Sequence, residues 1–442
     1  MWTVENLRFT HFLRYGGYIS QGRSPQPPFL RGAKRQFVAF FIKEVRGDRA
    51  WDISVVLIST CLMTQGFVIA AHAANPQHIE QLLATKACPK CDLRDAQLAD
   101  ANLQDAVLTG AKLEGANLER ANLAGANLNG AELMGAKLTA ANLTGAKLRE
   151  AQLRVRAQSS NSQLSGSKKP STLAERFSWL GSLSSAIATW YDNRVTDLQD
   201  ANLQGADLYG ANLTSAFLTR ANLQNAQLNY ANLTYANLEK VNLNRSNLAA
   251  ASLVGANLKG AQLETANLTG TNLAGAQMNQ ANLDTVNADS ANLSGANLSQ
   301  VYLGDADLNG ANLTGATLQN AVLTSANLQT ANLSQANLQE AELKGTSFNR
   351  AKLIGANLED ADLTNAKLAI ADLTNAQLTG AKLTFAYLHS ANLTNANLSG
   401  VDLREAQLHS ADLTRATLIG TTLERARLIS TKLNNANLTY SN

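Results

Sequence analysis

Cysteine and histidine are scarce: three and five residues in a chain of 442. Cys61 lies in an apolar run, which leaves one close pair, Cys88-Pro89-Lys90-Cys91. No second pair accompanies it, so the four ligands of a structural zinc site are missing. A thioredoxin-type redox pair would need a βαβ context, which is also absent. Charge of one sign is lacking as well, with 37 Lys+Arg against 34 Asp+Glu. Residues 196–442 carry 14 basic and 19 acidic side chains. Such a mixed surface supports solubility and provides no strongly acidic or basic field. No nucleophile–base pair, phosphate loop or metal-binding cluster can be recognised, and we expect no enzyme activity and no cofactor.

What the chain has instead is one five-residue unit, written 62 times. From Leu93 to Leu153 and from Leu198 to Leu438 every fifth residue is Leu, except Met278, Ala288 and Phe348. Two positions earlier stands Ala in 51 units, and Cys, Ser, Thr or Val in the others. The consensus is A-N-L-x-x, and a fixed short period is the mark of a solenoid. An α-helix turning about 100° per residue would scatter the Leu around its whole circumference. An extended segment puts Ala and Leu on the same side and the intervening Asn on the other, and the last two residues turn a corner. Four units close a square of about twenty residues, with coils stacking roughly 4.8 Å apart. The rod is then roughly 75 Å long. The narrow interior makes Phe348 the expected point of strain.

These units resemble the pentapeptide-repeat family over 310 of the 442 residues. The resemblance implies an all-β, right-handed quadrilateral β-helix. A short N-terminal cap helix and one inserted amphipathic helix complete the expected fold. Some members of the family are DNA-mimicking inhibitors of a topoisomerase. The stretch from Leu82 to Leu93 also resembles the lead-in of exported cyanobacterial members, which implies the periplasm or the thylakoid lumen.

The expected organisation has six parts: a basic N-terminal extension (1–52), with its start codon in question; an apolar segment (53–74); a cap helix and lead-in (75–90); a first repeat block (91–155); an insertion (156–195); and a second block (196–442). Ile53 to Ala71 is apolar, follows Lys43, Arg46 and Arg49, and ends in Ala71-His72-Ala73. Basic start, apolar middle and small-residue exit describe a cleaved signal peptide. The alternative is an uncleaved membrane anchor oriented by the basic residues. In an exported chain, Cys88 and Cys91 are expected to form a disulfide.

Solenoid ends need caps. Asn75-Pro76 opens the expected cap helix, with Ile79, Leu82 and Leu83 facing the first coil. The C-terminal end has none, and self-association, a protein partner or Tyr440 would shield it. In the insertion, 156–171 reads as a flexible loop. Thr172-Leu173-Ala174-Glu175 is a capping box. The helix that follows has an apolar face of Phe177, Leu180, Leu183, Ile187 and Trp190, with Trp179 and Tyr191 adding aromatic area. These seven residues are the candidate docking element for a protein, unless they pack along the rod. Membrane contact is expected only through this helix or residues 53–71, and nucleic-acid binding is not expected.

Residues twenty apart should stack. His389 and His409 form such a pair, too few ligands for a metal. Glu340, Glu342, Glu359, Asp360 and Asp362 gather carboxylates at one corner, with Lys344, Arg350 and Lys352 near in sequence to neutralise them. The face of Asn212, Thr214, Asn232, Asn272, Asn292 and Asn312 is uncharged and suits Asn ladders or docking. The leading function is a non-enzymatic exported scaffold for protein–protein interaction. The alternatives are a DNA-mimicking topoisomerase-binding inhibitor and a membrane-anchored structural spacer.

Overall fold

The computed structural model describes residues 74–153 and 195–442. The apolar segment, the capping box, and Phe177, Trp179, Leu180, Leu183, Ile187, Trp190 and Tyr191 lie outside the described residues. Every described residue belongs to the second of two compact units, 72–442.

Helix α1 spans Pro76–Thr85. Asn75 is its N-cap: the side-chain oxygen accepts from Gln77 N at 3.0 Å, and Pro76 follows where a missing N–H costs nothing. It ends at Lys86, whose φ of 54° lets its N–H reach Leu82 O at 2.8 Å. Leu82 is fully buried, and Ile79 packs against the same core. The helix also pairs the open edge of the first coil. Asn75 N donates to Asp92 O at 3.2 Å, and Asp92 N donates to His78 Nδ1 at 3.0 Å. Gln81 Nε2 donates to Ala87 O at 2.9 Å. A coil lying beneath would supply the same bonds.

Single-residue parallel bridges join residue n to n+20 within each repeat block. They line four faces: face 1 through 87 and 427, face 2 through 92 and 432, face 3 through 97 and 437, and face 4 through 102 and 422. The ladder starts at Ala87, one unit before the first Leu, with Cys88 in the Leu place.

The unit 116–120 shows why this sequence makes this turn. Ala116 and Leu118 are fully buried. Asn117 N donates to Ala96 O one coil down, and Leu118 N and Arg120 N donate to Lys137 O and Thr139 O one coil up, at 2.8–3.0 Å. Ala121 N closes the corner onto Leu118 O at 3.0 Å. Arg120 has a φ of 56°, and positive φ at only the second central residue marks a type II turn. The remaining N–H, that of Glu119, is taken by Asn117 Oδ1 at 3.2 Å. Asn thus serves the turn as well as the outer surface, which explains its place in the consensus. Every corner residue has positive φ, although most are not glycine. The ladder therefore holds many side chains in a backbone region they disfavour.

The insertion leaves the stack in register. Lys137 pairs with Asp197, Asn142 with Asn202, Lys147 with Asp207 and Gln152 with Asn212. Thr196 is fully buried at the small position, and its hydroxyl donates to Leu133 O and Leu153 O at 2.8 and 2.5 Å. Thr271, Thr346 and Thr421 fill the same position, each donating to a Leu carbonyl at 2.7–2.8 Å.

Phe348 corrects the expectation of strain. It is fully buried, and its backbone bonds to Lys367 O and from Ala351 N, at 2.7 and 2.9 Å, match those of neighbouring Leu units. At Ala288 the unit is inverted: Val286 fills the small position beside it, and both are buried. Part of the lost volume is thus restored within one unit.

Candidate functional site

Among the described residues the interior is almost uniform, so the outer columns are where recognition chemistry can differ. Many Asn side chains of the columns are used twice within the fold. Such an Asn accepts from the turn N–H of its own unit and donates its amide to an Asn, Gln or Asp one coil below. Asn222 reaches Asn202, Asn242 reaches Asn222, Asn292 reaches Asn272 and Asn312 reaches Asn292, at 3.1–3.2 Å. On face 2 the hydroxyls of Thr214, Thr314 and Ser334 turn back onto Asn Oδ1 at 2.6–2.7 Å. The uncharged stretch of that face, from 212 to 334, spends much of its polar capacity internally.

The predicted residues take the following places. Cys88 and Cys91 are both buried and joined as a disulfide, with Cα atoms 5.4 Å apart. They fill the central and small inward positions of successive units below Leu108 and Ala111, so the bond sits inside the first coil. His389 and His409 occupy the same corner of consecutive coils, where Ile370 N and Ser390 N donate to their carbonyls. Among the described residues no group of three or more His, Cys, Asp or Glu side chains is placed to hold a metal.

The acidic corner is brought together. Glu340 N donates to Glu359 O at 2.9 Å, and Glu342 pairs with Asp362 across one coil. Lys344 Nζ lies 3.4 Å from Asp362, while Arg350 and Lys352 make no ion pair with the cluster. Burial raises the Asp362 pKa, but hydrogen bonds from Thr364 and the Lys344 charge outweigh it, and the net direction is down. Other charges also pair vertically. Arg120 meets Asp100 at 2.7 Å and Arg220 meets Asp200 at 2.6 Å, both exposed and hence of small energetic weight.

Three features were missed from sequence. Arg149 sits 5.0 Å from the Tyr209 ring centre and 2.7 Å from Asp207, and so joins the aromatic pair expected from sequence, in which Tyr209 packs at 5.4 Å against Tyr230. The placing of Arg149 beside Tyr209 and Asp207 follows from the sixty-residue offset across the insertion, where Lys147 pairs with Asp207. Glu114 Oε2 is buried with no hydrogen-bond partner. Burial, with Glu132 beside it, lifts that carboxyl to about 7. Finally, a groove of about 430 Å³ runs along the corner between faces 3 and 4, lined by Gln280, Gln300, Asn320, Tyr302 and Val322. Tyr302 and Val322 replace Asn at consecutive rungs of face 4, which was the available sequence signal.

A family model described as pentapeptide repeats matches residues 91–154, 196–368 and 371–442. Among solved structures, the chain is similar to HetL, a pentapeptide repeat protein of the cyanobacterium Nostoc involved in heterocyst differentiation regulation. That match has 32% identity and covers 53% of this chain and 88% of HetL, with a TM-score of 0.27. A pentapeptide repeat protein of the Arabidopsis thaliana thylakoid lumen is 28% identical, covering 24% of this chain and 63% of its own, with a TM-score of 0.16. Full-length QnrB1, a plasmid-mediated fluoroquinolone resistance protein, is 19% identical, covering 42% and 92%, with a TM-score of 0.21. No curated protein matches the chain. The twenty-residue bridge spacing, the buried Ala and Leu columns and the match over most of the repeat agree: this chain belongs to the pentapeptide-repeat family, whose members fold as right-handed quadrilateral β-helices.

Proposed function

We propose that the protein is a non-enzymatic, exported scaffold that binds other proteins through the faces of its rod. The carrying observation is the unbroken register of four solvated faces across the insertion, from Ala87 to Asn437. Such faces offer long, flat, preformed surfaces, and a rigid surface loses little entropy on association. Export is supported by the signal-like run 53–71 and by the Cys88–Cys91 disulfide, a bond that persists in oxidising compartments. On this reading the protein acts in the periplasm or thylakoid lumen. No helix among the described residues is long and apolar enough to cross a membrane.

Mixed charge along the columns speaks for this reading over DNA mimicry, which would need a strongly acidic rod. Affinity capture from the native extract tests it, comparing the full chain with one lacking residues 156–193. A partner retained by both would place docking on the rod. A partner lost with the deletion would assign it to the segment bearing Trp179 and Trp190. Inhibition of DNA supercoiling by the purified protein would overturn the proposal in favour of a topoisomerase inhibitor.

A further inference from the structure

The groove beside Tyr302 interrupts the Asn ladder at a cost to the fold. At the preceding rung, Asn282 Oδ1 accepts from Asp284 N at 3.0 Å. Tyr302 and Val322 can make no such bond. Gly304 N turns instead to Asp284 Oδ1 at 2.7 Å, and Thr324 N has no side-chain acceptor. The exchange also leaves Tyr302 52% exposed. Departures from the local rule with no compensating bond in the fold are expected at functional positions.

The neighbouring column supplies the rest of the chemistry. Gln280, Gln300 and Asn320 stand one coil apart along the corner, roughly 4.8 Å per step. Gln280 Nε2 donates to Gln300 Oε1 at 3.0 Å, which orients two of the amides. Each amide still has donor and acceptor capacity toward solvent. No carboxylate, ammonium or guanidinium group lines the groove.

We propose that this groove binds a neutral oligosaccharide. The Tyr302 ring takes the C–H face of one sugar, Val322 extends the apolar floor, and the amides exchange hydrogen bonds with hydroxyls. An aromatic platform with a few convergent polar groups is the usual composition of a small-molecule site. A chain of repeating hydroxyl-bearing units also matches amides repeating once per coil. A charged ligand would find no counter-ion in the groove. This site lies beyond the scaffold reading and does not depend on it.

The test is saturation-transfer NMR on the full chain, with cellotetraose and maltotetraose as probes. At least one should receive saturation, with protection mapping to its C–H faces. Tyr302→Phe keeps the platform and should bind within about threefold of wild type. Tyr302→Asn restores the ladder residue, so it should fold at least as well and weaken binding at least tenfold. Equal saturation of the probe by Tyr302→Asn and wild type would overturn the proposal. So would the absence of transfer to either sugar at millimolar concentration, or selective binding of a peptide in the same groove.

Discussion

Leu313 and Leu433 occupy equivalent places on face 2, six coils apart, yet the structure treats them differently. Leu313 is completely buried, and its N–H donates to Asn332 O at 2.7 Å. Leu433 is only partly buried, and its N–H has no backbone acceptor among the described residues. Leu428 shares that state, Leu438 is exposed at 37%, and Tyr440 is 88% exposed. A unit is therefore completed by the coil above it and not by its own residues. Stability in such a stack is a sum of coils and nearest-neighbour interfaces.

The largest expected effect breaks that comparison directly. Leu313→Ala should cost about 3 kcal/mol, because a sealed interior cannot close over the cavity. Leu433→Ala should cost less than about 1 kcal/mol, because its side chain is already partly hydrated. Urea unfolding of both variants measures the difference, and equal losses would show that position in the stack does not matter. Next comes Leu82→Ala in α1, expected to cost about 2 kcal/mol and to raise proteolytic cleavage near the first coil. A neutral result would remove the claim that this helix stands in for a lower coil.

A smaller effect should depend on pH. The Glu114 carboxyl is raised in the fold to about 7, so the protonated form is favoured there. Its stabilising contribution is complete below the ordinary value of 4.5 and is lost as pH rises through about 7. Glu114→Gln should therefore stabilise the protein at pH 8 by about 1 kcal/mol, after allowance for solvent screening, and leave it unchanged at pH 4. Thermal melts at the two pH values decide. The smallest effect sharpens the contrast between inward and corner positions. Ile370 is held at a φ of 61° and is 53% exposed. Ile370→Asn should stabilise by about 0.5–1 kcal/mol, since Asn tolerates that backbone region and little burial is lost.

The inward columns were legible in the sequence because a five-residue period of Ala and Leu admits only one sealed packing. Asn75-Pro76 likewise marked the start of α1, because its capping chemistry is local. The second role of Asn was not legible. It depends on which turn N–H lacks a ladder partner, and only the turn geometry reveals that Asn117 must supply Glu119. The groove was missed for a related reason. Gln300 and Tyr302 are neighbours in sequence, but their partners Gln280 and Val322 come from other coils, and the sequence reading followed columns one at a time. Phe348 misled because residue volume alone does not say whether the ladder is disturbed, and its backbone bonds are those of a Leu unit.

The central claim is that one continuous stack runs through the insertion. Removing residues 155–194 leaves Ala151-Gln152-Leu153-Arg154-Val195 followed by Thr196-Asp197-Leu198, which restores the five-residue period. Val195→Gly in the same variant fits the positive φ that this corner would require. Native-state hydrogen exchange of the Asp197, Asn202 and Asp207 amides, which bond to Ala136, Ala141 and Ala146, reads the seam directly. Protection equal to that of the full chain is the predicted result. Fast exchange at those three amides, with protection kept on either side, would mean two separate stacks and would contradict the account.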